Sequence, residues 1–263
     1  MGRVIAVANQ KGGVGKTTTA VNLGAALAQA GRRVLLLDID PQGNATSGLG
    51  VNKQHVGASI YEVLLGARSI RAVLLPTAIQ GLELVPASVH LAGAEIELVG
   101  MEEREQRLRI ALSDERERYD YILIDCPPSL GLLTINALVA ADSVLVPIQC
   151  EYYALEGLGQ LMNTVQLVQR SLNPALEVEG VLLTMFDART NLSIQVVDEV
   201  KKYFRSKVYR SIVPRNVRLS EAPSHGKPIA LYDPRSRGAE VYQDLAKEVL
   251  EREQEKPRKT RAR

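Results

Sequence analysis

Only two cysteines occur in 263 residues, and no apolar run approaches the roughly 20 residues that a membrane-spanning helix needs. Cys126 and Cys150 close apolar stretches that read as buried strands, and no C-x-x-C pair accompanies them. They read as small core or site-adjacent residues, so neither a disulfide nor a cysteine metal site is expected. Thiols of this kind imply the reducing cytoplasm. No signal peptide is read at the N-terminus, because Arg3 to Ala8 enters a strand-like run directly. The chain also lacks a long Pro/Gly/Ser-rich linker and any repeat at solenoid periods. Its length admits one large domain or two small ones, and the missing linker favours one, which would bury about three-quarters of the unfolded surface.

What the chain does have is a loop built for phosphate. Arg3-Val4-Ile5-Ala6-Val7-Ala8 reads as a short buried strand, and Ala20 to Ala28 reads as a small-residue helix ending before Gly31. Between them stands Lys11-Gly12-Gly13-Val14-Gly15-Lys16-Thr17-Thr18. Gly12, Gly13 and Gly15 let backbone N–H groups converge on an anion at a helix N-terminus. Lys16 would reach the β- and γ-phosphates, and Thr17 puts a hydroxyl where Mg²⁺ sits in such sites. The generic loop has a glycine five positions before Gly15; this chain has Gln10 there, and it adds a second lysine, Lys11.

Carboxylates come from two further runs, Val34-Leu35-Leu36-Leu37-Asp38-Ile39-Asp40-Pro41-Gln42-Gly43-Asn44, a buried strand ending in acids with Asp40 just beyond it, and Tyr121-Ile122-Leu123-Ile124-Asp125-Cys126-Pro127-Pro128. Continuous apolar runs suit parallel strands covered on both faces, whose C-terminal ends open on the ligand crevice. Asp125 fits the role of holding Mg²⁺, through water, and Asp40 the role of polarising the attacking water. Further strand-like runs at Leu82 to Val85, Ser143 to Pro147, Val178 to Thr184 and Tyr209 to Val213 alternate with helical stretches. The fold class expected is α/β: a single-domain P-loop NTPase with a mostly parallel twisted sheet and helices on both faces. Residues 1–250 form this domain and 251–263 a basic tail.

Net charge is +2, but the tail segment Lys256 to Arg263 holds five basic residues and no acid, leaving the body at −3. Affinity for a polyanion must then come from local patches. From Phe186 to Arg218 there are eight Lys/Arg against three acids, whereas Glu95 to Asp120 has nine acids against five basic residues. In an expected helix Ser193 to Arg205, about 100° per residue groups Val196, Val197, Val200, Tyr203 and Phe204 on one face and Lys201, Lys202 and Arg205 on the other. Taken alone, such a run reads as a solvated face.

Residues 9–19, 38–50, 122–137, 149–157 and 215–232 closely resemble the ParA/Soj proteins, ATPases of bacterial chromosome and plasmid partitioning, with the chromosomal Soj type nearest. Cys150-Glu151-Tyr152-Tyr153-Ala154-Leu155-Glu156-Gly157 and Leu219 to Pro228 are specific to that family among P-loop proteins. The resemblance implies that Lys11 is the signature lysine of a deviant Walker A loop, crossing an ATP-sandwich homodimer to the partner's phosphates. It implies ATP and Mg²⁺ as ligands, with Pro214 and Asn216 beside the adenine. It implies non-specific binding of double-stranded DNA on the nucleoid, with Arg189 and Arg218 at DNA-contacting positions, to which helix geometry adds Lys201, Lys202 and Arg205. A ParB-type activator and a link to the replication initiator DnaA are implied as well.

The alternatives come from other classes. A MinD-like membrane ATPase would end in an amphipathic helix, but Glu251 to Arg263 contains no apolar residue except Ala262. An iron–sulfur carrier would need cysteines paired for a cluster, and Cys126 is poorly placed for that. A metabolic synthetase or kinase on the same fold stays open.

Overall fold

The computed structural model describes residues 2–151 and 156–255. Its strands are β1 (Arg3–Val7), β2 (Val34–Asp38), β3 (Leu75–Pro76), β4 (Leu82–Val85), β5 (Tyr121–Asp125), β6 (Ser143–Gln149), β7 (Glu177–Phe186) and β8 (Val208–Pro214). The helices are α1 (Lys16–Gln29), α2 (Asn44–Gly48), α3 (Ile60–Leu64), α4 (Ile70–Val73), α5 (Leu91–Val99), α6 (Arg107–Leu112), α7 (Leu132–Ala140), α8 (Glu156–Ser171), α9 (Asn191–Phe204), α10 (Val217–Glu221), α11 (Ile229–Tyr232) and α12 (Arg237–Glu255).

The strands make one sheet in the order β3-β4-β2-β5-β1-β6-β7-β8, parallel throughout except for the edge pair β3 and β4. Every residue of β2 and β5 is buried, as a strand covered on both faces requires. One face packs under α1 and α12 through Leu23, Leu27, Tyr242, Leu245 and Val249. The other packs under α5 to α9 through Leu98, Leu108, Leu138, Leu161 and Val200. Helix α1 sits close to the sheet at Gly24, where a Cβ would already be 3.4 Å from Leu123 Cδ1 and 3.5 Å from Leu82 Cδ1.

From β1 the chain crosses through α1 to β2 on one side, while β6 to β8 extend the sheet on the other. This reversal puts a crevice at the C-terminal ends of β1 and β5, where open α/β sheets bind ligands. Val7 and Asp125 are register partners there, as are Asp38 and Asp125.

Two expectations are corrected. The last helix continues through Glu255 rather than giving way to a tail at 251, because its end is fastened to the sheet. Arg252 lies 4.0 Å over the Tyr209 ring and donates to the Val208 carbonyl at 2.9 Å, and Glu253 accepts the Tyr121 hydroxyl. Residues 256–263 of the expected tail lie outside the described residues. Helix α9 ends at Phe204; Arg205, at φ 48°, opens a 3-10 turn, and Tyr203 is 71% exposed instead of facing the core with Val196, Val197 and Val200.

Candidate active site

Asn9 anchors the start of the loop: its Nδ2 donates to the Pro147 carbonyl at 2.7 Å, and its Oδ1 accepts the Lys11 N–H at 3.0 Å. Gly13 at φ 76° and Gly15 at φ 88° occupy left-handed backbone that glycine adopts without a steric cost. Thr184 on β7 donates its hydroxyl to the Val14 carbonyl at 2.9 Å and so ties the loop to the sheet. The first intrahelical bond of α1 runs from Thr19 N–H to Gly15 O at 2.9 Å, so the N–H groups of Lys16, Thr17 and Thr18 have no acceptor within the helix. No side chain caps them and no acid lies in the first turn. Those donors are available to an anion.

Lys16 is 6% exposed, and its Nζ donates to the Lys11 carbonyl at 2.9 Å. Burial lowers its pKa, opposed by the nearby Asp125, Cys126 and Asp40. Asp125 is fully buried and neither carboxylate oxygen accepts a hydrogen bond. Burial first, and the adjacent Asp38 second, push its pKa well up; the Thr17 hydroxyl is near enough to oppose this without reaching hydrogen-bonding geometry. Asp38 is pushed up to about 6 by burial, although the Thr46 N–H and hydroxyl both donate to its Oδ2 at 2.7 Å. An orphaned buried carboxylate beside a second carboxylate and a threonine hydroxyl is a poor arrangement for an empty core and a good one for a hard cation. Among the described residues no group of three His, Cys, Asp or Glu could hold a metal unaided. The donor set fits Mg²⁺ completed by phosphate oxygens and water.

Asp40 lies two residues past β2, 5% exposed, with its Oδ1 accepting the Gln42 N–H at 2.9 Å. Its charge reaches both Lys16 and Asp125. The Lys11 side chain forms an ion pair with Glu151 of the same chain, at the end of β6.

Beside the loop is a cavity of about 380 Å³ whose lining includes Gly15, Thr18, Met185, Pro214, Asn216 and Pro223. Met185, at φ 52°, holds strained backbone on its wall. Asn216 Oδ1 caps α10 by accepting the Arg218 N–H at 2.9 Å. Asn22 donates to the Thr18 carbonyl at 2.8 Å and accepts the Ile229 N–H at 2.7 Å, tying the start of α11 to α1.

The basic residues divide into two sets. Arg189 and Arg218 follow the C-terminal ends of β7 and β8, on the side of the loop. Both are exposed and locally paired: Arg189 with Asp187 at 2.6 Å, Arg218 with Glu221 at 2.9 Å. Lys201, Lys202 and Arg205 are exposed at the opposite end of α9, about 15 Å along its axis at 1.5 Å per residue. Sequence reasoning missed Asp38 and Thr46 as parts of the site, and Glu151 as the partner of Lys11. Asp38 ends the same apolar run that exposed Asp40, which was the available signal; Glu151 stood in a family-specific segment that gave no sign of its pairing with Lys11.

A family model described as an AAA domain matches residues 2–178. The chain is 68% identical over 249 residues to the sporulation initiation inhibitor protein Soj of Bacillus subtilis (strain 168), covering 95% of this chain and 98% of that protein. It is 60% identical over 253 residues to the chromosome partitioning protein ParA of Myxococcus xanthus (strain DK1622), covering 96% and 89%. Among solved structures it matches cobyrinic acid a,c-diamide synthase from Mycobacterium smegmatis with bound ADP and magnesium, at TM-score 0.87 and 42% identity over 98% of this chain and 97% of that one. It also matches the septum site-determining protein MinD complexed with Mg-ADP from Pyrococcus horikoshii OT3, at TM-score 0.79 and 26% identity over 95% and 96%. With a phosphate loop, a buried carboxylate behind it and this identity along nearly the whole length, the chain belongs to the ParA/Soj family of P-loop ATPases.

Proposed function

We propose that this protein is an ATP-dependent switch for chromosome partitioning. Its ATP-bound homodimer holds double-stranded DNA non-specifically and lets go after hydrolysis, which a ParB-type partner stimulates. The observation that carries the ATPase half is Asp125, buried without a partner behind Thr17 and Lys16 at a helix end with unused N–H groups. The kinship with Soj and ParA supports the partitioning half.

In this reading Gly12 to Thr18 cradle the phosphates with Lys16 on the β/γ oxygens, and Pro214 and Asn216 receive the adenine. Thr17 and Asp125 hold Mg²⁺, which when bound neutralises charge on the phosphate oxygens. Asp40 orients the attacking water, and Lys11 leaves Glu151 to reach the phosphates of the second subunit. Arg189 and Arg218, with Lys201, Lys202 and Arg205 farther along, give up their local pairs or solvent for DNA phosphate. Non-specific affinity is mostly counterion release, so a dimer joining two such faces about doubles the salt slope. It also raises avidity by about 10² to 10⁴.

Lys16→Ala should abolish nucleotide binding and with it ATP-dependent DNA binding, measured by fluorescence anisotropy on random duplex. Retention of ATP-dependent DNA binding would sink the assignment of the loop. Arg189→Glu with Arg218→Glu should lose at least about tenfold in DNA affinity while ATP dimers persist in sedimentation. If dimers vanish together with DNA binding, these arginines are not a contact face.

The synthase named among the structural relatives raises a metabolic reading. Covalent catalysis by cysteine would need an activated thiolate. Here Cys126 is fully buried and burial pushes its thiol up, while Cys150 is 6% exposed and pushed up to about 11. Turnover that responds to DNA and a ParB-type protein, and not to cobyrinic acid, separates the two.

A further inference from the structure

Helix α5 is apolar on two opposite sides. Leu91, Ala94 and Leu98 are buried in the core, while Ile96 and Val99 are 80% and 60% exposed, and Val89 just before the helix is 58% exposed. With the exposed Ala92 these outer residues recur every three or four positions, one continuous stripe on the side away from the sheet. A helix apolar all round belongs in an interior, and a contiguous apolar patch rimmed by charge marks an interaction site.

The rim says what would cover it. From Val89 to Glu105 there are five glutamates, Glu95, Glu97, Glu102, Glu103 and Glu105, and one basic side chain, Arg104, which is paired with Glu105 and the Val99 carbonyl, so the rim is net acidic. A second copy packed about a two-fold axis would set these acids against their own equivalents. A segment that sets Lys or Arg beside apolar residues complements both the stripe and its rim.

The segment before α5 is bonded to the nucleotide site, and the middle of the helix to the element that follows Asp125. Ala87 N–H, four residues before the helix, donates to Thr46 Oγ1 at 2.9 Å, and that hydroxyl donates to Asp38 at 2.7 Å. Glu95 Oε1 accepts the Leu133 N–H at 3.3 Å in the first turn of α7, which follows the loop after Asp125.

We propose that the outer stripe of α5 is the docking site for a basic, apolar-anchored segment of the activating partner, and that its occupancy reaches Asp38 and Asp125 through Thr46 and Glu95. This rests on the partitioning reading above. The stripe supplies what that reading lacks, a surface for the activator.

The test uses the full chain, ATP, duplex DNA and the full-length ParB-type protein of the same genome. Ile96→Glu with Val99→Glu, and separately Ala92→Arg, should keep unstimulated turnover and ATP-dependent DNA binding within twofold of wild type. Stimulation should fall at least about tenfold, the size of an effect carried by an interface anchor. Glu102→Lys with Glu103→Lys should weaken partner binding and flatten its salt dependence, since rim charges act through screened attraction. Full stimulation in both stripe variants overturns the docking site alone. Conversion of the ATP dimer to a monomer by Ala92→Arg, with melting unchanged, makes the stripe a self-interface and also overturns it. If the wild type is not stimulated by that protein, the partitioning reading fails first and this proposal with it.

Discussion

Asp125→Asn is expected to raise the melting temperature of the nucleotide-free protein while abolishing its magnesium-dependent binding of nucleotide. The two effects share one cause. The carboxylate is fully buried, accepts no hydrogen bond and lies beside Asp38 in the adjacent strand. A buried polar group left unsatisfied costs about 1–3 kcal/mol, and more if charged. An amide of the same shape removes the charge and its repulsion from Asp38. In a domain of this size each kcal/mol gained moves the midpoint up by about 2–4 °C. The same change deletes the negative oxygen that a cation needs, so the stabilised protein should lose the magnesium dependence seen by calorimetry with ADP. A lower melting temperature, or magnesium dependence left intact, would contradict the role given to Asp125.

The pH profile follows with a definite sign. Asp38 is held at about 6 against an ordinary 3.8, and Asp125 is shifted the same way. Across that window the folded protein keeps protons that the unfolded chain has released, so stability of the free protein falls as pH rises from about 4 to about 6. Cation binding expels those protons, so affinity for magnesium nucleotide rises over the same interval. Asp125→Asn should flatten both trends, read by melting curves and by titration in buffers of different ionisation heat.

Lys11→Ala is expected to leave ATP bound and to slow hydrolysis by about 10³ to 10⁵, the range of a cationic finger supplied in trans. The structure makes this a clean substitution. Lys16 is anchored on the Lys11 carbonyl, which alanine retains, so the loop keeps its shape. Among the described residues the Lys11 side chain pairs only with Glu151, and both are about one-third exposed. Such a pair contributes about 0–1 kcal/mol, so losing it should barely alter stability, and breaking it on assembly costs little. ATP binding by the variant, turnover by phosphate release and a melting curve check the three claims. Wild-type turnover in the variant would cut the connection between nucleotide, dimer and DNA.

The two kinds of result show where information sits in this chain. The loop was legible because its chemistry is local: glycines, lysine and hydroxyl act within eight residues on one strand-to-helix turn. The strands of the sheet were legible because burial on both faces demands unbroken apolar runs, and β4 and β5 begin and end where those runs do. The edge strand β3 was not, since two residues carry no period. Tyr203 followed the helical stripe of α9 in the sequence yet is exposed, because the helix ends one residue later and no neighbouring element covers it.

By itself the sequence determined the fold class, the phosphate loop and the acids that close the strands facing it. It did so because each depends on residues adjacent in the chain. Only the tertiary structure decided that Asp38 stands beside Asp125, that Lys11 is paired with Glu151 and that α5 has a second apolar side. These depend on strand register and on which faces find a partner. A contact such as that of Lys11 with Glu151, 140 positions apart, leaves no periodic trace in a single chain.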